Sequence, residues 1–388
     1  MQVPLPEVMR WTGPPDIQQR LDSSAHKIPA VGGEFKLQRA LLCEGACAGV
    51  ELLLVETDRV RAAICPTRGM SLWKACIDGL HCGWKSPVQG PVHPALVPIH
   101  DPDGIGWLEG FDELLVRCGL RSFGAPDFDD ASRLRYPLHG RIANLPARNL
   151  TVEVDGERGL LRVSGSVHET RTLLWNLELR ATYEFSLGDA HIGVRDRVTN
   201  RSGNPTTAQM LYHVNVAEPF LNEGAKFHVQ ADRAVARDAR AVEDLSTWSE
   251  YRGPAVGYAE QVYFFKGLAD SEGWSRALLQ SATGDVGFGL HYKTDTLPYL
   301  TQWKNTVALE DGYVTGMEPG TGFPNARSFE EKQNRLVELA AGESLDFELR
   351  LEVYSEAATM EPQVKKITKS APSVEKADFD PDWCVPRS

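Results

Sequence analysis

The chain has 388 residues, 42% of them hydrophobic, enough to bury one large core or two modest ones. Its formal net charge of −12 argues against nucleic acid and anionic membrane as partners, and no apolar run reaches the ~20 residues of a transmembrane helix. Residues 1–6 lack a charged start followed by an apolar stretch, and the seven cysteines are scattered with no C-x-x-C, so the expectation is a cytoplasmic protein with free thiols.

In chain order, residues 1–30 mix proline, charge and short apolar pieces, and are expected to form an extension wrapped on the body. A single domain is expected over 31–358. From 78 to 137 the chain is irregular, with Pro87, Pro91, Pro94, Pro98 and Pro102 in close succession. A loop that long in a compact domain is usually functional or packs as its own small lobe. A helix is predicted only around 108–117.

In residues 136–146, His139 and Arg141 flank Gly140, with turn residues on either side; a surface loop and a functional turn fit equally well. Strand-like runs follow at 150–154, 159–170, 175–185 and 190–200. They are punctuated by Asp155-Gly156, Gly188-Asp189 and Ser202-Gly203-Asn204, which suits antiparallel hairpins. Over 177–185 apolar and polar residues alternate, predicting one wet and one buried face. In the run 210–220, alternation puts His213 and Asn215 on one strand face and Tyr212, Val214 and Val216 on the other. Two polar residues facing the same way fit a lined cavity; a satisfied core histidine is the competing reading.

Further strands are predicted at 276–282, 286–293, 299–304, 335–339 and 344–354. Strands recurring this steadily without βαβ alternation indicate an all-β fold, a large antiparallel sandwich. Trp303 stands between Gln302 and Lys304. It fits core packing, and it also fits a sugar platform, because a pyranose has an apolar face and a polar edge. Glu318 lies where a β-like run gives way to a loop dense in Gly and Pro. Pro319 is expected to hold Glu318 extended and to end regular pairing there. A long acid at the mouth of a β-structure is placed for general-base work, with a solvated loop acid as the plain alternative. Residues 359–388 read as a tail, with Trp383 and Cys384 as the pieces that would tuck it back.

His139, His213 and Glu318 have the composition of a facial metal triad, but the residue two positions after His213 is Asn215, and no H-E-x-x-H occurs. No metal or other cofactor is expected. No G-x-S-x-G marks a serine nucleophile.

His139-Gly140-Arg141, then Tyr212-His213-x-Asn215, then Glu318-Pro319 followed by Phe323-Pro324, resemble the ordered elements of the galactose mutarotase-like superfamily, most nearly its aldose 1-epimerase-related group. The resemblance spans roughly residues 33–354. Ala217 stands where that group more usually has Gly before Glu218-Pro219. The resemblance implies a β-supersandwich and interconversion of sugar anomers by acid–base ring opening and reclosure. In that scheme Glu318 is the base, His213 the acid and His139 a second, substrate-binding imidazole. It also implies an arginine on the sugar, for which Arg68 and Arg141 compete. Asn215, Gln302, Trp303 and Lys304 complete the expected substrate-binding set, and the family's mid-chain Asp has no match between Asn215 and Gln302.

The expected partner is a small-molecule sugar, a neutral aldose by default. Arg68, Arg121, Arg141 and Lys304 leave an anionic sugar open, and a homodimer stays open as well. Two other classes remain alongside the isomerase: a non-catalytic carbohydrate-binding protein, and a glycosidase or lyase on a related sandwich.

Overall fold

In the computed structural model, residues 1–11, 25–371 and 373–386 are described. Side-chain alternation builds the strands. Along Trp175–Ser186, the odd-numbered Leu177, Leu179, Ala181, Tyr183 and Phe185 are fully buried while the residues between them are partly wet. This strand belongs to a nine-stranded antiparallel sheet whose middle runs Arg148–Asp155, Leu160–Arg171, Trp175–Ser186, His191–Asn200, Ser344–Tyr354 and Gly287–Lys293.

A larger sheet faces it. Six of its strands lie side by side: β1 (Ser71–Ile77), β2 (Leu115–Leu120), β3 (Thr206–Val216), β4 (Gln261–Gly267), β5 (Tyr299–Asn305) and β6 (Val314–Gly320). Their spatial order is β1-β2-β3-β6-β5-β4, every neighbour antiparallel. The core between the sheets joins Leu72, Tyr212, Val214 and Met317 of the larger one to Leu179, Val194 and Leu351 of the smaller. At its centre lies Arg117, fully buried. Its guanidinium donates to both Asp196 oxygens at 2.5 and 3.0 Å and to Met70 O and Tyr183 Oη, while Tyr212 Oη donates to Asp196 Oδ2 at 2.9 Å.

Helix is sparse: Ala239–Glu243, Arg327–Lys332 and Ala357–Ser370 are the α-helices among the described residues. The helix expected at 108–117 is replaced by a 3-10 turn at Gly106–Gly110 followed by β2. The run 114–116 is buried all round, and its backbone pairs with β1 and β3, so sheet pairing overrides the local preference.

Pro319 does not end the strand either. β6 continues to Gly320, paired with β5 through Leu300 opposite Pro319. The interruption falls on the other edge. There Thr315–Met317 of β6 pairs with Val214–Val216, and the register resumes at Leu211 opposite Gly320. A residue without an N–H breaks one ladder and leaves the other.

The ends of the chain add edges to both sheets. Gln2–Val3 pairs with Arg148–Asp155, and Val8–Trp11 lies parallel to Gly33–Leu42. The helix Ala357–Ser370 buries Met360 and Ile367 beside Leu278 and Tyr354, and Glu375–Ala377 pairs with Ala231–Ala236. Cys384 is buried, and Trp383 rests on Phe323 at 4.9 Å between ring centroids. No helix among the described residues is long and apolar enough to cross a membrane.

Candidate active site

Alternation along β3 sends Tyr212 into the core and His213 the other way, into a cavity of about 320 Å³. Glu318 arrives from β6, across the gap that Pro319 opens in the β3–β6 ladder. His213 Nε2 and Glu318 Oε1 lie 3.2 Å apart. Gly316 makes the approach possible: a Cβ there would stand 2.5 Å from Glu318 Oε1 and 3.1 Å from His213 Cε1.

The histidine's tautomer follows from its neighbours. Asn215 Nδ2 donates to two carbonyls, Glu113 O at 3.0 Å and His213 O at 3.2 Å, so its Oδ1 is the atom facing His213 Nδ1 at 2.7 Å. Oδ1 accepts only, so Nδ1 carries a proton and Nε2 is the nitrogen turned to Glu318. Asn215 itself is fully buried behind the imidazole.

His139 enters from the turn before the 3-10 segment Ile142–Asn144. Its φ of +56°, with Gly140 at +71°, is a left-handed conformation that a non-glycine residue adopts at a cost of about 1–3 kcal/mol. The turn aims the imidazole inward. Nδ1 donates to Phe123 O at 2.8 Å, leaving Nε2 as an acceptor. Its ring stands 5.2 Å from that of His213, edge-on.

Aromatic rings close the walls. Trp107 lies 4.5 Å from His139, Phe111 lies 5.1 Å from His213, and Trp303 lies 5.4 Å from His213, all between ring centroids. Pro324 also lines the cavity. It follows Phe323, which stacks on Phe264 at 4.5 Å, and it precedes Asn325, whose amide donates to Trp383 O at 2.9 Å.

Burial governs the protonation states. It pushes His139 down to about 4, with the hydrogen bond to Phe123 O opposing. Burial, reinforced by the neighbouring His139, holds His213 well below the usual imidazole value. For Glu318, burial and then the charge of Glu260 push the carboxyl well above its ordinary range, with Arg237 opposing. Although Glu318 Oε1 comes within 3.2 Å of the imidazole, it makes no hydrogen bond, and neither do Trp107 Nε1 and Thr301 Oγ1. Three buried polar atoms of one cavity lining thus have no partner among the described residues, which is where a polar ligand would be expected.

Of the residues singled out from sequence, His139, His213, Trp303 and Glu318 line this cavity. Asn215 touches it through His213. The others lie elsewhere. Arg68 is buried behind the 106–113 segment, paired with Glu113 at 2.7 Å and donating to Gly110 O, Val92 O and Asn144 Oδ1. Gln302 and Lys304 occupy the opposite face of β5 from Trp303: Gln302 bonds Tyr251 Oη, and Lys304 donates to Trp248 O and Glu250 O. Burial lowers that ammonium to about 8. Arg141 begins the Ile142–Asn144 turn outside the lining.

The lining also holds residues that sequence reasoning passed over: Trp107 and Phe111 in the irregular 78–137 region, and Arg237 and Glu260 on either side of the strands Ala231–Ala236 and β4. Two aromatics four positions apart inside a long proline-rich loop were a signal for the first pair. For the second, two ordinary charges in a chain that is 24% charged gave none. Among the described residues, no group of three or more His, Cys, Asp or Glu side chains is placed to hold a metal ion.

Comparison with known proteins places this geometry in context. A family model described as "Domain of unknown function (DUF4432)" matches residues 47–353. Curated proteins give no match. A "putative aldose 1-epimerase" from Klebsiella pneumoniae subsp. pneumoniae MGH 78578 superposes with a TM-score of 0.86 at 32% identity, covering 89% of this chain and 91% of that one. A galactose mutarotase-like protein from Clostridium acetobutylicum (14% identity, 79% of this chain and 95% of that one, TM-score 0.54) shares the fold. So does galactose 1-epimerase from Lactobacillus acidophilus NCFM (14% identity, 82% and 99%, TM-score 0.54).

Proposed function

The chain belongs to the DUF4432 family, within the aldose 1-epimerase-related group of the galactose mutarotase-like superfamily, and on that premise we propose that it interconverts the anomers of a free aldose, with Glu318 as base and His213 as acid. The observation that carries this reading is the 3.2 Å approach of the two groups in an aromatic-walled cavity. The anomeric hydroxyl oxygen and the ring oxygen are bonded to the same carbon, so the two proton transfers of ring opening happen side by side. An adjacent acid and base match that demand. A glycoside hydrolase instead sets two carboxylates about 5–9.5 Å apart across the scissile bond.

Glu318 takes the proton of the anomeric hydroxyl as the C1–oxygen double bond forms. The bond from C1 to the ring oxygen breaks, and that oxygen takes the proton from His213 Nε2. After rotation about C1–C2, the ring oxygen attacks the other face of the aldehyde. Its proton returns to His213, and the new anomeric oxygen takes back the proton from Glu318. His139 Nε2 accepts a hydrogen bond from a sugar hydroxyl, and Trp303 offers a ring to the sugar's apolar face. Burial favours a carboxylic acid facing a neutral imidazole, so the productive carboxylate–imidazolium form is the less populated arrangement of the same proton, and a bound sugar has to favour it.

NMR exchange between anomers, with a panel of aldoses, tests this. Glu318→Gln is expected to slow exchange by about 10²–10⁴-fold. If no sugar equilibrates faster with the native protein than with this variant, the reading is lost, and sugar binding without exchange would make the protein a carbohydrate-binding one.

A further inference from the structure

Arg237 and Glu260 share the cavity with Trp303 and form a unit of their own. Arg237 Nη2 donates to Glu260 Oε1 at 2.9 Å and lies 2.8 Å from Asp238 Oδ2, to which Nε also donates at 2.8 Å. Trp303 Nε1 donates to Glu260 Oε2 at 2.6 Å. Asp238 is fixed in turn, because its Oδ1 caps the helix Ala239–Glu243 through Ala241 N at 3.0 Å. Each oxygen of Glu260 has therefore received one donor and keeps a lone pair, and Arg237 Nη1 takes no part in these bonds. The carboxylate is half exposed, the guanidinium one-third. They stand toward the mouth, while Glu318 and His213 are buried and His139 is partly buried.

The charges sum to a definite sign. Among the described residues Arg237 is the one lysine or arginine in the lining, and two carboxylates hold it. Of the four cations that would have favoured an anionic sugar, Arg68, Arg121 and Lys304 are bound to Glu113, to Thr206 and Thr207, and to backbone carbonyls, and Arg141 lies outside the lining. A phosphate or carboxylate entering here meets a cation already neutralised and a surplus negative charge. A neutral diol meets a charged acceptor and a charged donor side by side, set next to an indole whose orientation its own N–H bond fixes.

We propose that Glu260 and Arg237 form a recognition site for two adjacent hydroxyls of a neutral monosaccharide, one hydroxyl donating to the carboxylate and its neighbour accepting from Arg237 Nη1, and that the same pair excludes sugars bearing phosphate or carboxylate groups. This rests on the sugar-anomer reading for the identity of the ligand. A cavity of about 320 Å³ is at the small end of ligand sites, the size of one sugar ring.

The test compares the native protein with Glu260→Gln and Arg237→Met on neutral aldohexoses, their 6-phosphates and the corresponding hexuronic acids, by anomer exchange. The native protein is expected to exchange the neutral sugars at least about tenfold faster than the anionic ones. Glu260→Gln is expected to raise KM for neutral sugars about 10–100-fold, and to narrow the gap to the uronic acids. A native preference for anionic sugars, or an unchanged KM in Glu260→Gln, overturns the proposal. Binding to Glu318→Gln, measured by ligand-observed NMR, keeps the question separate from catalysis. If no sugar is exchanged, the mutarotase reading falls, yet neutral sugars that bind Glu318→Gln and fail to bind the Glu318→Gln, Glu260→Gln double variant still uphold the recognition site. Equal binding to both variants, or no binding to either, overturns it.

Discussion

Tyr212 and His213 are neighbours on one strand, both buried, and they live in opposite worlds. On the core side, Tyr212, Asp196, Arg117, Tyr183 and Met70 O close a network in which the one cation meets the one anion through two hydrogen bonds. On the cavity side, His213 and Glu318 face each other with no fixed opposite charge in contact, and Glu318 Oε1, Trp107 Nε1 and Thr301 Oγ1 lack partners. Burial is common to both. What separates a structural polar cluster from a chemical one here is satisfaction: the first has completed its hydrogen bonds within the chain, and the second keeps some for a ligand.

The sharpest way to break this comparison is to unbalance the satisfied side. Arg117→Met leaves Asp196 buried without its partner and is expected to destabilise the fold by about 3–5 kcal/mol, read from denaturant unfolding. A loss below about 1 kcal/mol would show that the network contributes little. On the cavity side, Gly316→Ala removes no functional group yet places a Cβ 2.5 Å from Glu318 Oε1. Displacing one member of an acid–base pair by about 1 Å is expected to cost about 10²-fold in exchange rate, with unfolding little changed; an undiminished rate would mean that the pair's spacing is unimportant.

The smallest effect concerns pH. Glu318 has a folded pKa above its unfolded value, so its contribution is fully present below the unfolded pKa and is lost as the pH rises through the folded one. Glu318→Gln removes that loss. The variant is expected to melt about 2 °C higher than the native protein at pH 8, with the difference vanishing near pH 4. A native protein that melts higher at both pH values would place Glu318 among the stabilising groups.

The fold was readable because its strands alternate: over 177–185 each apolar residue is buried, as the pattern requires. His139, His213, Trp303 and Glu318 converge because each sits at a point where strand or turn geometry dictates the direction of its side chain. The rest of the site was hidden for two reasons. Trp107 and Phe111 come from a segment with no period, placed by the bonds of Arg68 and Glu113 behind it rather than by its own pattern. Arg68 was implied by the resemblance, and Gln302 and Lys304 by the donors they set around Trp303, but strand parity decides for the last two. Even-numbered positions of β5 face the core where Trp303 faces the cavity. Pro319 teaches a similar lesson, since a missing N–H matters only on the edge toward which it would have pointed.

The wall at Phe323 and Pro324 leans on residues 382–383: Phe323 packs on Trp383, Asn325 donates to Trp383 O, and Arg335, paired with Glu330, donates to Asp382 O. During synthesis on a ribosome, both imidazoles and Glu318 would leave the exit tunnel well before these supports. A nascent chain can thus own every chemical group of the cavity and still lack its buttress, which is made after the reactive residues themselves.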